Sequence, residues 1–215
     1  MINNANKYSL SEIFAPDNKA KYVIPKFQRE YIWNKDNWEE LLNDILESDG
    51  SHFIGSIICI RKEEVGVFNQ ELELIDGQQR LTTVSLMFAA VYKLLKEKNK
   101  NDDELKSELI NLKWSLTLKH NRNLRIELSY QNSNHQDYQS VLSEIGIFDF
   151  SNNNLRNSGN RKIFKAYRYF LGKLKDFNEK DLINLLEKIK ATMIVMIEVS
   201  SHSDAFLLFE SLNNR

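Results

Sequence analysis

Apolar residues recur along the chain with two periods, and each period marks a kind of element. Trp38, Leu41, Leu42, Ile45 and Leu46 fall three and four residues apart, the spacing of one helix face. Asp36 and Glu39 stand in front of them at capping-box spacing, and Asp49-Gly50 supplies a stop, so a helix is predicted over residues 36–49. Residues 52–61 are rich in isoleucine, and residues 71–75 alternate Leu72 and Leu74 with Glu71 and Glu73; both read as strands, with residues 63–69 as a hairpin loop or bulge between them. After Asp76-Gly77 a long helix is predicted to about residue 99. It carries Leu81, Val84, Phe88, Val91 and Leu95 on one face and Leu86, Met87, Ala90 and Leu94 on the other, and a helix apolar nearly all round is a buried one.

The flanking segments are shorter. Ser9 and Glu12 have capping-box spacing for a short helix over residues 9–14. Residues 22–25 read as extended, because a residue before proline avoids the helical region. Polar residues 100–103 mark a boundary, followed by a helix over 105–112 and a strand pair, 114–118 with 124–128, around His120-Asn121-Arg122-Asn123. Further helices are expected over 136–145, 161–175, 181–190 and 204–212, a strand over 193–199, and an asparagine-rich loop over 151–160. The pattern is that of an α+β protein in two parts, residues 1–99 and a mainly helical 100–215, with no internal repeat.

Composition narrows the classes. The chain has 215 residues, 42% of them hydrophobic and 11% aromatic, enough for a sizeable core, and a formal charge of −1. Gly 7 and Pro 2 are sparse and favour long helices with few tight turns. Cys59 is the lone cysteine and sits in an apolar run, where it reads as a small buried hydrophobe; no internal disulfide can form. The N-terminus carries no apolar stretch, and the longest uncharged run, residues 81–92, falls short of the roughly 20 apolar residues that span a bilayer. The expected compartment is the cytoplasm, with no membrane partner.

Four groups of residues carry candidate chemistry. Residues 74–83 pass from strand through a tight turn into a helix, leaving unpaired N–H groups beside Arg80, a corner that attracts phosphate. Asp76 and Gln79 are also at capping-box spacing, and Asp-Gly is a common turn, so the corner has a purely structural alternative. Residues 24–33 pack aromatics around Gln28 and Arg29, which suits a base or phosphate contact as well as ordinary core packing. Near the end, Glu210, Asn213 and Asn214 share a helical face, with Phe206, Phe209 and Leu212 expected to pack the other side. Finally, residues 155–175 hold seven basic and no acidic side chains. Arg161, Lys165, Arg168 and Lys175 form one stripe opposite Phe164, Tyr167, Leu171 and Leu174, a stripe that either tracks a DNA backbone or is a solvated face. No G-x-x-x-x-G-K-[ST] loop occurs, and His52, His120, His135 and His202 lack metal-ligand spacing.

Taken together, the segment 24–33, the strand 53–57, Asp76-Gly77-Gln78-Gln79-Arg80 with Leu81-Thr82-Thr83, and the terminal Phe209-Glu210-Ser211-Leu212-Asn213-Asn214-Arg215 resemble, in order, the N-terminal domain of GmrSD-type modification-dependent restriction endonucleases, known for a DGQQR motif. The resemblance implies a mixed sheet similar to the ParB and sulfiredoxin fold over residues 1–99, a helical extension, and a longer protein continuing past Arg215. It implies binding and hydrolysis of a nucleoside triphosphate, with Mg²⁺, to control a nuclease domain in the same chain or on a partner; the DNA acted on would be modified or foreign. Carried over by position, Asp76, Gln79 and Arg80 would be catalytic, and Gln28, Arg29, Gly77, Gln78 and Arg80 would hold the nucleotide. Asp76 would bind Mg²⁺ or orient the attacking water. Glu210, Asn213 and Arg215 would form a second element, while Arg161, Lys165 and Arg168 are the candidate DNA contacts and a homo-oligomer is a further expectation. The alternatives are a DNA-binding module without enzymatic activity and a ParB-like nuclease acting directly on DNA.

Overall fold

The computed structural model describes residues 1–49, 52–62, 70–98, 103–119, 123–130, 133–148 and 161–213, with the backbone alone of Asn213. The elements in order are β1 (Ile2–Ser9), α1 (Leu10–Ile13), β2 (Ala20–Val23), α2 (Lys35–Glu47), β3 (Phe53–Arg61), β4 (Gln70–Asp76) and α3 (Gln78–Lys98). They continue with α4 (Asp103–Leu116), β5 (Ile126–Glu127), α5 (Asn134–Glu144), α6 (Lys162–Leu174), α7 (Glu179–Ala191), β6 (Met193–Val199) and α8 (His202–Asn213). The protein is α+β. Its strands form one mixed sheet in the order β1-β6-β3-β4-β2-β5, so β5 and β6, from beyond residue 99, share it with the first four.

Alternation along the strands sorts the sheet into two faces. Ile57 and Cys59 of β3, Leu72 and Leu74 of β4 and Ile194 of β6 turn into the main core, where α3 lies buried along most of its length among the other helices. Ile58 and Ile60, Ile197 and Val199 turn the other way and build a smaller core that α8 covers with Ala205 and the half-buried Leu208. No helix among the described residues is long and apolar enough to cross a membrane.

Three local expectations are corrected. The capping box of α2 is Asn34 with Asn37, two residues ahead of the Asp36 and Glu39 pair; the Asn34 side chain accepts from the Asp36 N–H at 2.9 Å. The strand pair 114–118 with 124–128 does not form, because α4 runs on to Leu116 and only an isolated bridge joins Thr117 to Leu124. Arg125 explains why: fully buried, it donates to the carbonyls of Trp114 and Ser115 at 2.9 Å each and to that of Thr117 at 3.5 Å, satisfying the end of α4. The same guanidinium reaches back to Ala15 and Asn18, so β5 pairs in parallel with β2 instead. Third, Phe206, Phe209 and Leu212 of α8 do not pack; all three are exposed. The loops at 63–69 and 151–160, the boundary residues 100–102, Gly50, residues 120–122, Asn214, Arg215 and the Asn213 side chain lie outside the described residues.

Candidate nucleotide site

The corner between β4 and α3 is built around Gly77. Its φ is +87°, a region that L side chains rarely adopt, and a Cβ there would stand 2.7 Å from Ile57 Cγ1. The chain therefore turns sharply against β3, and α3 opens with its first intrahelical bond from the Leu81 N–H to the Gly77 carbonyl at 3.1 Å. The N–H groups of Gln78, Gln79 and Arg80 have no helical acceptor, the usual state of a helix start. The capping box open to Asp76 and Gln79 is not made, because Gln79 is engaged elsewhere.

The buried Gln79 amide clamps the segment that follows β2. Its Oε1 accepts from the N–H groups of Ile32 at 2.9 Å and Trp33 at 3.4 Å, and its Nε2 donates to the Glu30 carbonyl at 3.1 Å. Behind it, Trp38 Nε1 donates to the Tyr31 hydroxyl at 2.8 Å; that hydroxyl bonds Thr83 Oγ1 at 2.7 Å, and Thr83 donates to the Gln79 carbonyl. Burial pushes the Tyr31 phenol well above its ordinary pKa, so it stays protonated and keeps this chain intact. Gln28 and Gln78 join the two segments on the near side: Gln28 Nε2 donates to the Ile75 carbonyl at 2.7 Å and its Oε1 accepts from Gln78 Nε2 at 3.0 Å. Five amide and hydroxyl side chains and the Trp38 indole thus fix residues 28–33 against the start of α3.

The result is a cleft of about 620 Å³. Asp76, Gly77, Gln78, Gln79 and Arg80 form its base, Phe27, Gln28, Arg29 and Trp33 one wall, and His202, Phe206 and Phe209 of α8 the other. Arg80 donates through Nη1 to the Ser56 carbonyl at 3.0 Å and lies over Gly55, whose φ of +109° and missing Cβ leave room for the guanidinium. Neither Arg80 nor the exposed Arg29 makes an ion pair among the described residues, and the Asp76 carboxylate has no hydrogen-bond partner there. Every residue of the corner and of the Gln28-Arg29 segment that the sequence pointed to is brought to this one cleft.

Other expected residues lie elsewhere. Glu210 is exposed and does not line the cleft, whereas Phe206 and Phe209 of α8 border it. Arg161 is tied by an ion pair of 2.8 Å to Asp137, which is fully buried. Burial raises the Asp137 pKa, and the guanidinium works against that shift. Lys165 and Arg168 stand exposed on α6, whose opposite side buries Phe164, Tyr167 and Leu174. His202, Phe206 and Phe209 were not expected at the site. They sit at i, i+4 and i+7, so one helical face was legible, but nothing local shows what that face meets.

No group of three or more His, Cys, Asp or Glu able to hold a metal ion occurs among the described residues. Among curated proteins none matches the chain. A family model described as "GmrSD restriction endonuclease, N-terminal domain" matches residues 10–215. That is nearly the whole chain, and its cleft joins the two motif segments; the protein belongs to this family and so to a restriction endonuclease system acting on DNA.

Proposed function

We propose that the cleft binds and hydrolyses a nucleoside triphosphate, and that this controls DNA cleavage by a nuclease domain in the same chain or on a partner. The observation that carries the reading is the pairing of two guanidiniums, Arg29 and Arg80, neither neutralised by a carboxylate among the described residues, with the free N–H groups of α3 in one cleft. Such an arrangement suits a polyanion: charge-assisted bonds from arginine and the helix N-terminus act together on phosphate. Phe27, Trp33, Phe206 and Phe209 supply aromatic walls against which a base stacks, and the volume lies within the roughly 300–1,000 Å³ of small-molecule sites.

Asp76 fits a Mg²⁺ ion shared with the phosphates, since this ion is commonly held by one or two carboxylates plus substrate oxygens, and a cage of protein ligands is not needed. The ion, when bound, neutralises charge on the transferring phosphoryl group. Gln79 acts in this reading by positioning, because its amide is already bonded at both ends to the segment bearing Arg29. Titration of the intact chain with a triphosphate and Mg²⁺ by calorimetry tests the reading. Arg29→Ala, at an exposed residue, is expected to weaken binding roughly 10–100-fold, the value of one charged hydrogen bond, with an unchanged thermal melt. Equal affinity in variant and parent would remove the site.

A second contact rests on its own observation. Lys165 and Arg168 are exposed on α6 without partners among the described residues, so this helix is the surface offered to modified or foreign DNA. Replacing both by alanine is expected to lower the slope of log affinity against log salt by about 2.

A further inference from the structure

Glu73 and His202 form a pair at the cleft rim that the phosphate site leaves unused. Leu72 and Leu74 turn into the main core, so alternation sends Glu73 to the opposite face of β4, beneath α8, where it is 6% exposed. A carboxylate buried to that degree demands partners. Lys62 pairs with one oxygen, and His202 Nε2 stands 3.3 Å from the other. His202 is the first residue of α8; its side chain is 54% exposed, its ring lines the cleft, and it meets the Phe27 ring edge-on at 5.6 Å between centroids. The imidazole packs against the Phe27 ring and meets the Glu73 carboxylate, and a hydrogen bond to a carboxylate is what fixes a histidine tautomer. With Nε2–H donating to Glu73, Nδ1 is the basic nitrogen, and it has no hydrogen-bond partner among the described residues.

We infer that His202 is the general base of triphosphate hydrolysis, with Glu73 as its positioning residue; the inference rests on the nucleotide reading of the cleft. Imidazole accepts protons at neutral pH far better than a carboxylate does, and Asp76, the carboxylate that lines the cleft among the described residues, is the one suited to the metal. As the water oxygen bonds to the γ-phosphorus, one water proton passes to His202 Nδ1. The bond from the γ-phosphorus to the bridging oxygen breaks, its electron pair leaving with the nucleoside diphosphate, and His202 then releases the proton to solvent.

The test measures phosphate release and calorimetric affinity together on the intact chain with Mg²⁺ and ATP or GTP. His202→Ala is expected to lower kcat by at least about 100-fold while Kd stays within about twofold, and added imidazole is expected to restore part of the rate. Glu73→Gln is expected to lower kcat by about 10-fold or more without changing Kd. His202→Gln, closer in volume, serves if the alanine variant fails to fold. Hydrolysis at the parent rate in the histidine variants overturns the inference and leaves the nucleotide site standing, as does a joint loss of kcat and affinity that imidazole does not rescue. A parent protein that binds the triphosphate but releases no phosphate overturns the His202 role and the hydrolysis together, and one that binds none overturns the nucleotide reading itself.

Discussion

Single atoms decide the corner. Gly77 combines a positive φ with a neighbour 2.7 Å from any Cβ, so Gly77→Ala is expected to destabilise the fold by about 2–4 kcal/mol, read as a lowered denaturant midpoint. Gln79 shows how a side chain takes a role that a local reading does not give: the capping alternative yields to a clamp on residues 30–33, because an amide with a donor and an acceptor satisfies three backbone groups at once. His135 is a second case where burial sets behaviour. Its Nδ1 is buried with no hydrogen-bond partner among the described residues, and burial lowers its pKa from 6.5. A lowered folded pKa means that the folded state favours the neutral ring: the contribution is complete above pH 6.5 and is lost as pH falls through the folded value. Stability is therefore expected to drop between pH 7.5 and pH 5, and His135→Gln to flatten that drop, as urea midpoints at several pH values would register.

At the scale of elements, periodicity was a sound guide wherever burial followed it. The helix of residues 78–98 is buried all round as its apolar pattern predicts, and residues 53–61 and 70–76 are the strands expected from isoleucine content and alternation. The pattern failed at 114–118, where local apolarity suits either a strand or a helix end and the distant Arg125 side chain settles it as helix. It failed again in α8, where Phe206, Phe209 and Leu212 are exposed and Ala205 with the half-buried Leu208 meets the interior. Phe206 is 58% exposed, so Phe206→Ser is expected to leave the melting temperature within about 1 °C, since exposed substitutions change stability little, yet to weaken nucleotide binding about tenfold through lost stacking. Circular dichroism and calorimetry on the same variant separate the two effects.

For the whole molecule, the sheet is the organising object. β6 lies between β1 and β3 and bonds to both, antiparallel to the first and parallel to the second, although it follows α7 near the end of the chain. A fragment of residues 1–99 would leave β1 with no strand to pair with and expose an edge of β3. Such a fragment is expected to aggregate or to lack a cooperative thermal transition; a sharp melt would establish residues 1–99 as an independent domain. The same topology brings the α3 corner and α8 to one cleft, so that residues far apart in the chain line a single cavity.

The sequence by itself determined the kinds and order of most elements, the strand-turn-helix corner from Asp76 to Arg80, and the association of that corner with Gln28 and Arg29. Periodicity, capping and turn chemistry act over a few residues and leave a local trace, and paired motifs in fixed order identify a family. Only the tertiary structure decided that Gln79 holds a loop, that Arg125 ends a helix, that Glu73 is buried beneath α8 and that His202 stands 129 positions away against it. Those outcomes depend on which distant groups are brought within hydrogen-bond reach and shielded from water, and neither distance nor shielding has a period along the chain.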